Sequence, residues 1–546
     1  MNIKSTKYYS FFISIAIIVF ITFIFCFDSI NAIQYQMIGF DEGYNATVAA
    51  NIMRYGEYRV SYPTNVTFYN TISTGVAVIL PTALAYKIFG INSITSSIVA
   101  VLYSVLCIFA LWWLLIRCFP PKNNIRYVLS AVLVSLLILS DGLYMHISRN
   151  LLGEIAALFF LLCSFIFLSY YFETKKSINV IVAGSMLAFS FLTKSSMIFF
   201  VISCFGMVLI ESFISGTVAK RDTIRYFLGF MVGFIFLDTY KLIQLGGILS
   251  YISWWKAECR NMLSQSSGID LSYSLVNKFN YLESIFSGCN KYFCFIILLT
   301  PVIVYAIHVF AKILNKEIEY SDGALTMSIA GVGGSSLIIY FILLGGSGLV
   351  YARRHEVNQI FVRLFIAYVI GFIFLIVMEL VKGYYQHNGG TIMNIVILTA
   401  IVCIITTLNF PWSKIKNNSI SYINKEKEDS YSVQLMKQFL SEVEELPDDS
   451  TIYCAGWWQE PYISLYLDRN MQSIYDVTYE NIKRDDNSYF IVGHVIHAVN
   501  KSELETIFDI VLVRLDETDV DYDRYSNGFD RQDFDLFAIY KIEKIH

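Results

Sequence analysis

Charge is what this chain has least of. Lys, Arg, Asp and Glu make up 15% of it, against roughly 25% in an ordinary soluble protein, while 56% is hydrophobic and 16% aromatic. Across 546 residues that balance identifies an integral membrane protein. Forty basic residues against 44 acidic ones leave a net charge of -4, and so small a charge gives no reason to expect a nucleic-acid partner. Cys26, Cys107, Cys118, Cys163, Cys204 and Cys403 lie in or at the ends of apolar runs and form no CxxC pair; they read as small buried hydrophobes rather than metal or redox centres. Internal repeats and low-complexity tracts are also lacking, and no His/Cys/Asp cluster has metal-ligand spacing. The GVGG run at 331 to 334 has no strand before it, so it reads as close helix packing and not as a nucleotide loop.

What the chain does have is a succession of apolar runs near the ~20 residues a helix needs to cross the hydrocarbon. The first, YYSFFISIAIIVFITFIFCF after MNIKSTK, is longer than a signal-peptide core and no A-x-A-like site follows it, which predicts a retained anchor. Further runs lie at about 92 to 117, 126 to 141, 154 to 172, 178 to 193, 195 to 213, 226 to 247, 292 to 313, 324 to 344, 359 to 381 and 391 to 409. The expectation is a polytopic α-helical membrane protein with about eleven transmembrane helices. TISTGVAVILPTALAYKIFG (71 to 90) is apolar enough to suggest a twelfth. If it lies along the outer surface instead, MNIKSTK, RCFPPKNNIR (117 to 126), ETKKS (173 to 177) and VAKRDTIRY (218 to 226) all face the cytoplasm, as the positive-inside rule requires. That topology puts the loop from about 28 to 91, the loop 248 to 291 and the tail from about 412 outside.

The tail changes character after SKIKNNSISYINKEKEDS. TIYCAG, FDIVLVRL and FDLFAIYKI read as strands, and VQLMKQFLSEVEEL as a helix, which predicts a small extracytoplasmic α/β domain over 412–546 behind a membrane domain over 1–411. Its acidic end, DETDVDYDRYSNGFDRQDFD, reads as a solvated surface.

Just after the first apolar run stands GFDEGYNATVAANIMRYGEY (39 to 58), with adjacent carboxylates Asp41 and Glu42. One reading makes them caps of a helix beginning near Asn45; the other gives them chemistry at the membrane surface. The acidic pair, the helical A-x-x-I-x-x-x-G-x-Y pattern after it and the ISTGVAVILPTALAYKIFG stretch together resemble the C-type glycosyltransferases that use polyprenyl-phosphate-linked sugars, of the protein O-mannosyltransferase and lipid A aminoarabinose transferase kind. SDGLYMHISRNLLGE (140 to 154) resembles the second outer loop of that superfamily, and AGSMLAFSFLTKSS (183 to 196) its G-x-x-x-G/A-x-x-x-L-T-K stretch. Where relatives commonly carry His/Lys-Pro-Pro this chain has Ser73, Thr74 and Gly75, and where the second-loop acid is often Asp it has Glu154.

The resemblance implies transfer of a sugar at the outer face of the membrane, from a polyprenyl-phosphate donor to a hydroxyl on a glycan, glycolipid or protein; the sequons Asn45-Ala-Thr47 and Asn65-Val-Thr67 would clutter the site if glycosylated, which favours a bacterial plasma membrane. A sugar on a lipid phosphate already carries a good leaving group; what the reaction lacks is a base for the acceptor hydroxyl. Asp41 is the candidate base, with Glu42 and Glu154 orienting the acceptor or holding the site's charge. Glu154 has alternative readings as a first-turn helix residue or a partner of Arg149, and Lys194 as either a snorkelling lysine or a contact to the donor phosphate. GGSGLVYARRHEVNQ (345 to 359) places Arg353, Arg354 and His355 outside, against the positive-inside trend; the donor phosphate or anionic headgroups would supply the counter-charge. Asp238 and Lys241 sit at i and i+3 in a span and are expected to pair. No cofactor is implied, and a divalent metal stays open. Cys259 and Cys289 share an outer loop where an oxidising compartment would permit a disulfide.

A transporter or flippase of lipid-linked sugars is the alternative. Such proteins usually carry ionisable residues deep in several helices and an internal repeat, and only Asp238 and Lys241 are clearly deep here. The topology makes a direct prediction: single cysteines introduced near Tyr69 and near Ser502 react with an impermeant thiol reagent added outside, and one near Lys122 does not. Outside labelling near Lys122 would turn residues 71 to 90 into a crossing helix.

Overall fold

The computed structural model describes residues 3–35, 40–60, 74–118, 148–265, 437–448, 450–454, 463–469, 471–473, 489–494, 508–517 and 536–545, with isolated positions between 127 and 135 and at 306 and 309. The expected spans beyond residue 290, Cys289 and the segment carrying Arg353, Arg354 and His355 lie outside the described residues.

Nine helices of the N-terminal half are described: α1 (Ile3–Tyr35), α2 (Phe40–Tyr55), α3 (Val76–Phe89), α4 (Ser93–Cys118), α5 (Glu154–Thr174), α6 (Ser177–Thr193), α7 (Ile198–Phe213), α8 (Lys220–Gln244) and α9 (Ile248–Gln265). Stretches of α1, α4, α5 and α8 are long and apolar enough to cross a membrane: Tyr8–Ile33, Ser93–Arg117, Glu154–Thr174 and Lys220–Gln244. In hydrocarbon each backbone N–H and C=O needs an internal partner, which is why such runs are helical. Phe12, Phe20, Phe23 and Phe27 of α1 and Val232, Ile235 and Phe236 of α8 are exposed, as lipid-facing side chains should be.

The helix α3 differs. Its 14 residues extend about 21 Å, short of a ~30 Å hydrocarbon layer, and it packs on α2 and α4. Pro81 lies inside it and has no N–H to offer the carbonyl of Ala77 four residues earlier. The hydroxyl of Tyr103 on α4 donates to that carbonyl instead, at 2.9 Å.

Polar pairs sort the helix ends. At one end Arg117 of α4 binds Ser169 Oγ at 3.1 Å and pairs with Glu173 of α5. Beside them Lys175 donates to the Thr217 carbonyl at 2.9 Å, and Asp222 of α8 accepts from Tyr171 at 2.9 Å and Ser177 at 2.7 Å. The segments around 117, 175 and 222 therefore share one face of the bundle. At the other end Asp28 of α1 pairs with Arg149, Thr74 bridges to Lys194, and Tyr240 of α8 donates to the Gly56 carbonyl.

Between α6 and α8 the backbones nearly touch. A Cβ on Gly229 would stand 2.2 Å from the Ile181 carbonyl oxygen, and one on Gly184 2.2 Å from that of Tyr226. Small residues permit this approach, and the Ser185 hydroxyl bonds the Gly229 carbonyl across it at 2.8 Å.

In the tail, residues 437–444 are helical and strands β1 (Thr451–Cys454), β2 (Met471–Ser473), β3 (Tyr489–His494), β4 (Phe508–Glu517) and β5 (Leu536–Ile545) form one sheet in the order β2-β1-β3-β5-β4. β1 runs parallel to β2 and β3, while β5 is antiparallel to β3 and β4. The described residues of all three expected strand segments lie in strands, β1, β4 and β5. Phe439, Val443, Ile452, Ile463, Leu465 and Ile539 of the tail belong to the same buried cluster as Ala46 and Ala50 of α2 and Ile79 and Ala83 of α3.

The α6–α8 contact yields a paired prediction. Gly229→Ala must part the two helices and should cost about 1–3 kcal/mol of stability, whereas Gly206→Ala on α7, with nothing within 4 Å of the added carbon, should leave stability unchanged or raise it by up to ~1 kcal/mol. Thermal unfolding of the purified proteins measures both, and equal midpoints would contradict the packing described.

Candidate functional site

The site is built on α2, whose start differs from the one the capping reading supposed. The helix begins at Phe40, five residues before Asn45, so Asp41 and Glu42 lie within its first turn instead of capping it from outside. Negative charge is favourable there because the helix dipole leaves unsatisfied N–H groups at that end. Glu42 is buried. Position 41 stands one turn before Asn45, on the same helical face.

Asn45, absent from the sequence-derived candidates, is where three segments meet. Its Nδ2 donates to Thr74 Oγ1 at 3.0 Å and to the Leu151 carbonyl at 2.7 Å. Thr74 Oγ1 in turn donates to the Leu152 carbonyl at 2.9 Å. The Tyr58 hydroxyl donates to the Thr74 carbonyl at 3.1 Å, and burial pushes the Tyr58 phenol well above its usual pKa, keeping it a donor at any physiological pH.

The strand-like approach to α3 is held from the other side as well. Thr74 forms an antiparallel bridge with Lys194, and Gly75 N–H donates to the Thr193 carbonyl at 2.9 Å. A Cβ at residue 75 would sit 1.9 Å from the Leu192 carbonyl oxygen, so only glycine fits this approach. The Thr74–Gly75 pair is thus the contact point with the Leu192-Thr193-Lys194 end of α6.

Glu154 and Lys194 complete the knot. Lys194 Nζ lies 2.7 Å from Glu154 Oε1, the side chains being 8% and 4% exposed, and also donates to the Leu152 carbonyl at 3.1 Å. Lys194 is therefore buried and paired rather than snorkelling, and Arg149, one suggested partner of Glu154, pairs with Asp28. The structure brings Glu42, Glu154 and Lys194 onto elements that Asn45 and Thr74 join directly. Asn45 begins a glycosylation sequon in the sequence, yet its buried amide is occupied by the fold.

Along the flank, Asp238 and Lys241 pair at 2.9 Å as expected, with Tyr251 and Trp255 donating to Asp238 and the Lys241 ammonium 3.9 Å from the centre of the Trp254 ring. Tyr240 packs its ring against Tyr58, 6.2 Å between centres, which ties this cluster to the end of α2. Cys259 on α9 carries an exposed free thiol. No group of three or more His, Cys, Asp or Glu side chains is placed to hold a metal ion among the described residues.

The arrangement is a polytopic helical bundle in which the short helix α3 and the acid-bearing helix α2 are joined at one end. Its fold is similar to that of the crystal structure of ArnT from Cupriavidus metallidurans in the apo state: the superposition covers 97% of each chain with a TM-score of 0.50 at 10% sequence identity. The structure of ArnT from the same organism bound to undecaprenyl phosphate aligns over 97% of each chain with a TM-score of 0.46 and 10% identity. No family model and no curated protein matches the chain.

The buried pair makes a prediction that separates charge from contact. Lys194→Met leaves the Glu154 carboxylate buried beside an apolar stem and should cost ~3–5 kcal/mol, while the double change Glu154→Gln with Lys194→Met should recover much of that loss. Denaturant or thermal unfolding tests it; additive losses would mean the two side chains do not act as a pair.

Proposed function

We propose that the chain transfers a sugar, a hexose or a pentose, from a polyprenyl-phosphate-linked donor to a hydroxyl acceptor at the extracytoplasmic face of a bacterial plasma membrane. The acceptor is a glycan, glycolipid or protein. One observation carries the reading. The sequence segments that resemble the superfamily's motifs, 39–58, 71–90, 140–154 and 183–196, are far apart in the chain yet meet at Asn45, Thr74, Glu154 and Lys194. A fold shared with ArnT supports it.

In this reading Asp41 takes the proton of the acceptor hydroxyl as its oxygen attacks the anomeric carbon in line with the departing phosphate. The bond from C1 to the acceptor oxygen forms, the bond from C1 to the phosphate oxygen breaks, and the lipid phosphate leaves with the electron pair. The configuration at C1 is inverted. Glu42 orients the acceptor or helps hold the site's charge. Glu154 and Lys194 hold the second outer loop against the end of α6, fixing the floor on which α2 rests. Lys194 together with Arg353, Arg354 and His355 supplies positive charge to the donor phosphate. About eleven transmembrane helices over 1–411 and an extracytoplasmic domain over 412–546 complete the proposed organisation, with the outer loop 28–91 carrying the base.

The test is Asp41→Asn in membranes supplied with lipid-linked sugar donor. The change keeps the side chain's size and removes the base, so transfer should fall by roughly 10²- to 10⁴-fold at normal protein level and normal membrane insertion. Transfer at the wild-type rate would end the assignment of Asp41.

A further inference from the structure

The far end of α2 is gripped by the tail. Arg54 Nη1 donates to the Ser464 carbonyl at 3.1 Å and Nη2 to the Leu465 carbonyl at 2.7 Å, and Nη1 also lies 3.1 Å from Asp468 Oδ1. The next residue, Tyr55, donates its hydroxyl to Asp468 Oδ2 at 2.7 Å. The acceptors lie on a π-helical turn, Ile463–Leu467, in which Ile463, Ser464 and Leu465 are buried. Asp468 follows it with a φ of 57°, a left-handed conformation that Asp tolerates better than most residues. Its carboxylate meets Arg54 and Tyr55 at the end of α2. A planar guanidinium meets two carbonyls and a carboxylate at once, which an ammonium on a flexible stem does not reproduce.

The geometry matters because α2 is a stiff rod held at two points. Asn45 fixes it to Thr74 and Leu151, and Arg54 fixes it to the tail. Measured along the axis, Arg54 lies roughly 13 Å beyond Asn45 and position 41 roughly 6 Å before it. With Asn45 as pivot, a sideways slip of about 2 Å at the Arg54 end moves position 41 by roughly 0.9 Å in the opposite direction. Displacement on that scale can cost a reaction about 10²-fold when reacting groups must be aligned.

We propose that the tail is a strut for the acid-bearing end of α2, with Arg54 as a positioning residue for sugar transfer. The inference rests on the proposed transfer reaction. It assigns the C-terminal region a part in turnover that needs no contact with either substrate.

Two measurements on the full-length protein test it. In lipid-reconstituted transfer assays, Arg54→Gln should lower kcat roughly 10- to 100-fold with the KM for donor unchanged, and Arg54→Lys, which keeps only the charge on Asp468, should fall between Arg54→Gln and the wild type. In hydrogen exchange, the amides of residues 41–55 should exchange faster in Arg54→Gln than in the wild type while those of α5 and α6 stay as they were. A kcat per folded molecule equal to wild type, with only the yield of folded protein reduced, would overturn the positioning role. Unchanged exchange across α2 would overturn the strut itself. An inactive wild-type protein would instead overturn the proposed reaction, and the exchange result would still decide whether the tail holds α2.

Discussion

The arrangement depends on what Thr74 can do with one hydroxyl, one carbonyl and one backbone edge. The hydroxyl accepts from Asn45 and donates to Leu152, the carbonyl accepts from Tyr58, and the edge pairs with Lys194. These groups are buried, so each bond lost leaves a polar atom without water, at ~1–3 kcal/mol apiece. Four segments are thereby held in one register at one end of the bundle. Gly75 is required by the same contact, since any side chain would collide with the backbone of Leu192.

From that point the rest of the site takes its position. The segment before α5 reaches Thr74 through the Leu152 carbonyl, Asn45 through the Leu151 carbonyl, and α6 through the Glu154–Lys194 pair. Each end of α2 is tied to a different part of the chain, one to this knot and one to the tail. Its acidic first turn is therefore placed by two independent sets of polar contacts, and hydrophobic burial shared with the tail holds the helix between them. A carboxylate acting as base needs such fixation, because its contribution depends on alignment as much as on basicity.

Much of this was legible in the sequence, for reasons that differ by residue. Apolar length gave the four membrane-length helices found among the described residues, because lipid leaves the backbone few alternatives. Alternation gave three strands of the tail, and β2 and β3 were not among them. The i, i+3 spacing gave the Asp238–Lys241 pair. The partner of Glu154 was not legible, since Lys194 is forty residues away and only the crossing of α5, α6 and the Thr74 segment brings it near. Asn45 was hidden because it reads as a sequon and as a helix residue, although its place one turn after Asp41 was a usable signal. Arg54 and Asp468 are separated by more than four hundred residues, and nothing local marks either as one half of a contact. The capping reading of the acid pair put the start of α2 near Asn45, while the helix begins at Phe40 and the first-turn dipole favours those carboxylates inside it.

The claim that this knot underlies a sugar-transfer centre is tested most directly by where the donor binds. Electron cryo-microscopy of the Asp41→Asn protein with a polyprenyl-phosphate-linked sugar should show the anomeric carbon beside residue 41, above the Asn45–Thr74 junction, with the lipid phosphate on the side away from the acceptor. Donor density at the opposite end of the bundle, among Arg117, Lys175 and Asp222, or at a distance from α2, would contradict it.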